Sequence, residues 1–294
     1  MSITDEKPVT LEKMGLKNNH ILTVLLISFA IPLSMSMWII NIIYSKLVLN
    51  NEGLDEPVII SPARWLAACL IPIPIAVSGY RKKSINLSGA LLGLVVAFLL
   101  TLSNYCFLVD LIVFFLSSSK ATRFRPHLKR KIEKDFKEGA FACCNGDTWA
   151  SELGTVLSTS DPVLVTSWKK VPKGTNGGIT LIGTIFSTLG GLLIGLSHYI
   201  TILYFADRAL LSYAPPQWPV ILYGGLAGFL GSFIDSILGA TLQYSGLDKD
   251  GKIVSYSSLA VKHISGRNIM DNHSVNLLST IIIGLLMPTI VKNL

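Results

Sequence analysis

Charge is scarce in this sequence. Only 15% of its 294 residues are Asp, Glu, Lys or Arg, where soluble domains carry about 25%. Half of the residues are hydrophobic and the mean hydropathy is +0.55. A soluble fold would hide that surplus in one core, with apolar residues spaced at the helical or strand period. They fall instead in long unbroken runs, which excludes a soluble globular domain. Cysteine is sparse too. Cys69, Cys106, Cys143 and Cys144 show neither metal-ligand spacing nor a disulfide framework, and the adjacent Cys143–Cys144 pair is expected to pack without an acyl chain. No small-residue cleavage site follows the first apolar run, so the first helix is expected to be a retained signal-anchor. Repeats, low-complexity tracts and nucleophile–base pairs are missing, and His20, His127 and His198 form no metal cluster.

What is present is membrane-length helix. Crossing about 30 Å of hydrocarbon takes about 20 apolar residues. Ile21–Ile43 is 23 residues without a charge. Trp65–Tyr80 is shorter, with Arg64 placed to snorkel from its end. Leu87–Ser119 is 33 residues with one charge, Asp110, too long for one crossing at 1.5 Å per residue, and reads as a helical hairpin turning near Ser103 and Asn104. Ile179–Ala206, Gln217–Ala240 and Ser274–Val291 complete about seven crossings. The expected fold is all-α, a polytopic transmembrane helical bundle: a cytosolic tail over residues 1–20, then one membrane domain over 21–294 with cytosolic-side polar loops at 120–178 and 241–273.

The orientation follows from the basic residues. Lys120–Glu138 holds eight Lys or Arg and three acids; Arg81, Lys82 and Lys83 form a second cluster, and Lys169, Lys170 and Lys173 a third. The Leu49–Pro57 loop carries Glu52, Asp55 and Glu56 and no base. The positive-inside rule then sets the N-terminus and all three clusters in the cytosol, and the acidic loop and the Asp207–Pro216 connection outside. The basic segment reads as a topology determinant drawn to anionic headgroups. Nucleic acid is not an expected partner, because no stacking aromatics interleave with the bases. The sequons at Asn86 and Asn272 fall on the cytosolic side and are expected to be unused.

Three polar groups are not needed for lipid or helix packing, unlike Gly190, Gly191, Gly195, Gly224, Gly228 and Gly231, whose spacing lets helices approach closely. The first is CNGDTWASELG, Cys144–Gly154. Asp147 and Ser151 would share a helix face and could hold a hydrated Mg²⁺, which takes one or two carboxylates plus substrate phosphates; alternatively Asp147 is a helix N-cap. The second is KKVPKGTNGGIT, Lys169–Thr180, where backbone N–H groups at a glycine-rich helix start would favour an anion. Its spacing is not that of a Walker loop. The third joins Asp235, expensive inside an apolar helix, to HISGRNIMDNHSVN, where Asp271, Asn272 and Asn276 open the last helix. The threading brings all three to the cytosolic face. Asp110 reads as a helix partner or as part of the hairpin interior.

GDTWASELG, VPKGTNGGIT, GGLAGFLGSFIDSILGATLQY and HISGRNIMDNHSVNLLS, in that order, resemble the transmembrane protein 19 family, which includes a plant phytyl-phosphate kinase. The likeness runs from about Ser61 to Asn293. More distantly, the order of the Gly-Asp, Lys-Pro and Gly-Gly elements is similar to that of CTP-dependent dolichol and phytol kinases and phosphatidate cytidylyltransferase. The resemblance implies an endomembrane (endoplasmic reticulum or related) kinase of an isoprenoid lipid monophosphate, using Mg²⁺ and CTP or ATP. It implies Asp147, Glu152 and Asp235 as catalytic residues and Asp147, Ser151 and Asp271 as metal ligands. Lys173, Thr175, Asn176, Gly177, Gly178, Asn272 and Asn276 would bind nucleotide and phosphate. The family also places several tens of residues between the basic segment and the Gly-Asp motif, whereas only Ala140 to Asn145 stand between Gly139 and Gly146 here. A shortened, inactive form of such a kinase is therefore a second expectation. A transporter using Asp110 and Asp235 near the midplane and a non-catalytic membrane scaffold are the alternatives from other classes.

Overall fold

The computed structural model describes residues 9–47, 60–82, 87–124, 145–206 and 208–292, with side chains from residue 27 onward except at 210. The acidic loop, most of the basic segment, Lys83, Asn86, Cys143, Cys144 and Asp207 lie outside the described residues. Among the described residues six helices are long and apolar enough to cross a membrane, and a seventh apolar helix has 17 residues, which is the all-α polytopic class expected. The chain divides into two compact units, Met1–Leu108 and Val109–Leu294.

In the first unit, α1 (Val9–Leu47) begins ahead of the apolar run and carries Pro32 inside it. Its Asn41 accepts a hydrogen bond from the Ile60 amide at 3.2 Å. Ser61 caps α2 (Pro62–Leu70), its Oγ accepting from Arg64 N, and Pro62 occupies the first turn, where its missing N–H costs nothing. Ile71 stays helical and joins α2 to α3 (Pro72–Arg81); Trp65 packs tilted on Phe98 of α4 (Leu87–Ser103) at 6.0 Å. The long Leu87–Ser119 run breaks at Asn104. Its amide closes α4 on Leu100 O, and its Oδ1 accepts from Cys106 N to open α5 (Tyr105–Thr122).

In the second unit, α8 (Leu181–Phe205) and α10 (Pro219–Leu242) pack along their glycines. A Cβ at Gly191 would lie 2.2 Å from Gly224 O, and one at Gly195 2.7 Å from Val220 O. Only hydrogen fits between these backbones, so Gly191, Gly195, Gly224 and Gly228 pack as the sequence offered. The last helix, α11 (Asn272–Lys292), lies against α10, and a short α9 (Arg208–Tyr213) precedes α10.

The described parts of the two polar stretches carry secondary structure. The CNGDTWASELG motif forms α6 (Asn145–Trp149), a π-helical turn (Ala150–Gly154) and α7 (Thr155–Leu157). The start of this segment is buried. Gly146 packs against Ser187 O and Gly228, and Asn145 against Gly190, near the middles of α8 and α10. The reason is the same absence of side chains, which opens a groove wide enough for a third backbone. Between α7 and α8, β1 (Val163–Leu164) pairs antiparallel with β2 (Gly178–Ile179). Between α10 and α11, β3 (Ser245–Leu247) is flanked by β4 (Ile253–Val254) and β5 (Lys262–Ser265).

Candidate functional site

A cavity of about 820 Å³ in the second unit is lined by α6 and its π-turn, the Lys173–Ile179 segment, the inner faces of α8 and α10, and the start of α11. All twelve residues singled out from the sequence line it: Asp147, Ser151, Glu152, Lys173, Thr175, Asn176, Gly177, Gly178, Asp235, Asp271, Asn272 and Asn276. Asp110 does not.

Asp147 lies inside the α6 helix rather than at its N-cap. Its Oδ1 accepts from Ser232 Oγ of α10 at 3.2 Å. One turn further along α10, Asp235 Oδ2 accepts from Ser279 Oγ of α11 at 3.0 Å. With its amide oriented by these neighbours, Asn276 donates to Asp235 Oδ2 and to Asn272 O, both at 3.0 Å. Neither carboxylate forms an ion pair with a described residue. Among the described residues no three His, Cys, Asp or Glu side chains are grouped to hold a metal ion. A divalent cation at Asp147 and Asp235 would therefore complete its shell with water or ligand oxygens, the arrangement usual for Mg²⁺.

The glycine-rich segment departs from its expected role in part. Gly174 and Gly177 have φ of +88° and +78°, and a Cβ on Gly177 would lie 2.3 Å from Ala240 Cβ, so Gly177 is required where the loop rests on α10. Three of the amides expected to face an anion are already used inside the protein. Thr175 N donates to Pro172 O, Asn176 N to Ser245 Oγ, and Gly178 N to Thr175 O. Thr175 Oγ1 and Asn176 Nδ2 are likewise spent, on Pro172 O and Tyr244 O. The loop is thus largely braced from within, and Lys173 lines the cavity with an ammonium that gives one hydrogen bond to Ser158 O and retains two more donors. Asp271 is held mainly as a helix cap: its Oδ1 accepts from Ser274 N at 2.8 Å. Those bonds from Ser274 hold its carboxyl below the usual Asp range, and they compete with its expected role as a metal ligand.

Several residues here were not singled out from the sequence. Asn145 accepts from Ser117 Oγ and Ser118 Oγ of α5 at 2.6 and 2.9 Å and donates to Gly190 O at 3.0 Å, tying three elements together one residue before the Gly-Asp pair. Ser232 and Gln243 join the wall, Gln243 donating to Asn272 Oδ1 at 3.4 Å. Outside the cavity, Asp110 accepts from Ser197 Oγ at 2.7 Å and pairs with His198 Nδ1 at 2.6 Å, so Asp110 is a helix partner and His198 is its counterpart.

The chain matches the family model of integral membrane protein DUF92 over residues 70–139 and 137–284. It is 35% identical to Protein PGR of Arabidopsis thaliana over 274 residues, 76% of this chain and 94% of that protein. It is 33% identical over 147 residues to an uncharacterized membrane protein of Methanocaldococcus jannaschii, 50% of this chain and 47% of the relative. An uncharacterized membrane protein of Synechocystis is 30% identical over 104 residues, 35% of each. No solved structure matches. The family match breaks at residues 137–139, the join noted in the sequence. Since 76% of 294 residues is about 223, about 50 of the 274 positions aligned with the plant protein have no residue of this chain opposite them.

Proposed function

The chain belongs to the integral membrane protein DUF92 family, the transmembrane protein 19 family of the resemblance above, and from that premise we propose that it is built as a phosphotransferase acting on an isoprenoid lipid monophosphate, with a nucleoside triphosphate (CTP or ATP) as donor, in an endomembrane with its N-terminus cytosolic. The observation that carries this reading is the meeting of Asp147, Asp235 and Lys173 in one cavity.

The chemistry asks little of the protein beyond placement and charge. An oxygen of the lipid phosphate forms a bond to the γ-phosphorus, the bond from that phosphorus to the β,γ-bridging oxygen breaks, and nucleoside diphosphate leaves. A phosphate monoester has its second pKa near about 6, so at neutral pH the acceptor is already an anion and needs no general base. That fits a site without a nucleophile–base pair. Its problem is repulsion between acceptor and donor, and the answer is positive charge placed where negative charge crowds. Lys173 supplies one such charge. Asp147 and Asp235 would hold Mg²⁺, which when bound screens phosphate charge. Asn272 and Asn276 hold the Asp235 side in place, Ser232 orients Asp147, and Glu152 lines the same wall.

Transport is the second reading; of the two carboxylates it would use, Asp110 is already matched by His198 and Ser197, which leaves Asp235.

The test is phosphoryl transfer by the purified protein in liposomes with labelled CTP or ATP, Mg²⁺ and a panel of prenyl monophosphates. Product is expected, and Asp147→Asn is expected to reduce it by at least about a hundredfold, the scale of losing one electrostatic stabiliser. Nucleotide left unconsumed both by this chain and by one carrying the family segment at residues 139–140 would sink the reading.

A further inference from the structure

On α10 the cavity is lined by Phe229, Ser232, Phe233, Asp235 and Ser236, a stripe that follows the helical period. The two ends of this stripe differ. Gly177 packs on Ser236 O and Ala240, which fixes the polar end of the cavity beside the Lys173 loop. Phe229 lies seven residues away from Ser236, about 10 Å along the axis. Phe229 and Phe233 stack nearly parallel, with ring centroids 6.4 Å apart and planes at 13°. Each is 37% exposed, although α10 is one of the helices suited to cross a membrane. These two rings are thus an apolar, part-exposed stretch of the cavity wall, carried by a helix whose outward faces would meet hydrocarbon.

We propose that the cavity admits its lipid sideways from the bilayer through an opening at Phe229 and Phe233, the phosphate reaching Asp147, Asp235 and Lys173 while the hydrocarbon chain stays on the two rings. The proposal rests on the reading that a lipid monophosphate is the substrate. Entry through water would cost about a factor of ten for every two methylenes exposed, whereas entry through the rings exposes none. The rings then act as positioning residues, holding the chain so that the headgroup arrives at the carboxylates end-on.

The test needs no turnover. The full chain in liposomes is irradiated with a prenyl monophosphate bearing a diazirine at mid-chain, and the adducts are mapped. Adducts at Phe229 and Phe233 that unlabelled prenyl monophosphate displaces are expected, with about tenfold lower yield in the Phe229→Ala, Phe233→Ala double variant. The Phe229→Leu, Phe233→Leu pair, which keeps apolar bulk should the alanine pair fail to fold, is expected to retain labelling. Displaceable adducts confined to other elements, no displaceable adduct at all, or undiminished yield in the alanine pair overturns the opening. Adducts on the rings without phosphoryl transfer leave the opening standing and remove the kinase; transfer with adducts elsewhere does the reverse.

Discussion

At the scale of single residues, the sequence announces what is costly and hides what is neutral. Asp235 stood out because an ionisable group in an apolar helix needs a reason, and Asp147 because it sits among glycine, serine and tryptophan. Asn145 and Ser232 did not, since a small neutral side chain in a polar stretch is unremarkable until its partners are seen. The amides of Thr175, Asn176 and Gly178 illustrate the same limit, because their partners include Ser245, 69 residues from Asn176. Asp271 gives a residue-scale prediction. As a helix cap, its replacement by Ala is expected to cost about 1 kcal/mol, and replacement by Asn much less. Its carboxyl is held below the usual range, so the ionised form is the stabilising one. That contribution is present above the ordinary Asp pKa and fades as pH falls through the lowered value. Thermal unfolding of Asp271→Ala in detergent at neutral and acid pH is expected to show a difference from wild type that shrinks on acidification; a constant difference would remove the charge from the account.

At the scale of elements, hydrophobic length was a sound guide and polarity a poor one. The spans appear where the apolar runs are, and the break at Asn104 could be expected from a run too long for one crossing. The stretch at 145–157 falls within a region expected as a polar loop, and the spacing of Asp147 and Ser151 already allowed a helix there, but not its entry into the groove between α8 and α10. What admits it is a property of those two helices rather than of the stretch itself, and no local reading finds it. The glycines carry a sharp contrast. A Cβ at Gly191 would lie 2.2 Å from a backbone oxygen, while one at Gly284 of α11 would meet nothing within 4 Å. Gly191→Ala is expected to destabilise by about 2 kcal/mol or more, and Gly284→Ala to stay within about 0.5 kcal/mol. Thermal stability of the two variants in the same detergent checks this, and equal effects would mean that close approach of the helices does not matter.

At the scale of the whole molecule, the comparisons place the chain in its family and expose what it lacks. The plant relative has about 50 aligned positions without a counterpart here, and the family match parts at residues 137–139. Twelve candidate residues still line one cavity, so the polar end of the site does not depend on that segment for its assembly. The segment is expected to bear on turnover. Phosphoryl transfer by a chain carrying it is expected to exceed that of the present chain by about tenfold or more, a barrier difference of about 1.4 kcal/mol. Equal rates would make the segment dispensable.

Asn145 gives this join a particular meaning. The residue is clamped on both sides of its amide, by hydroxyls of α5 and by a carbonyl of α8, and it is the sixth residue after the join. Asp147 stands two residues on from this clamp, so the carboxylate is anchored through partners on α5 and α8, one before it and one after it in the sequence.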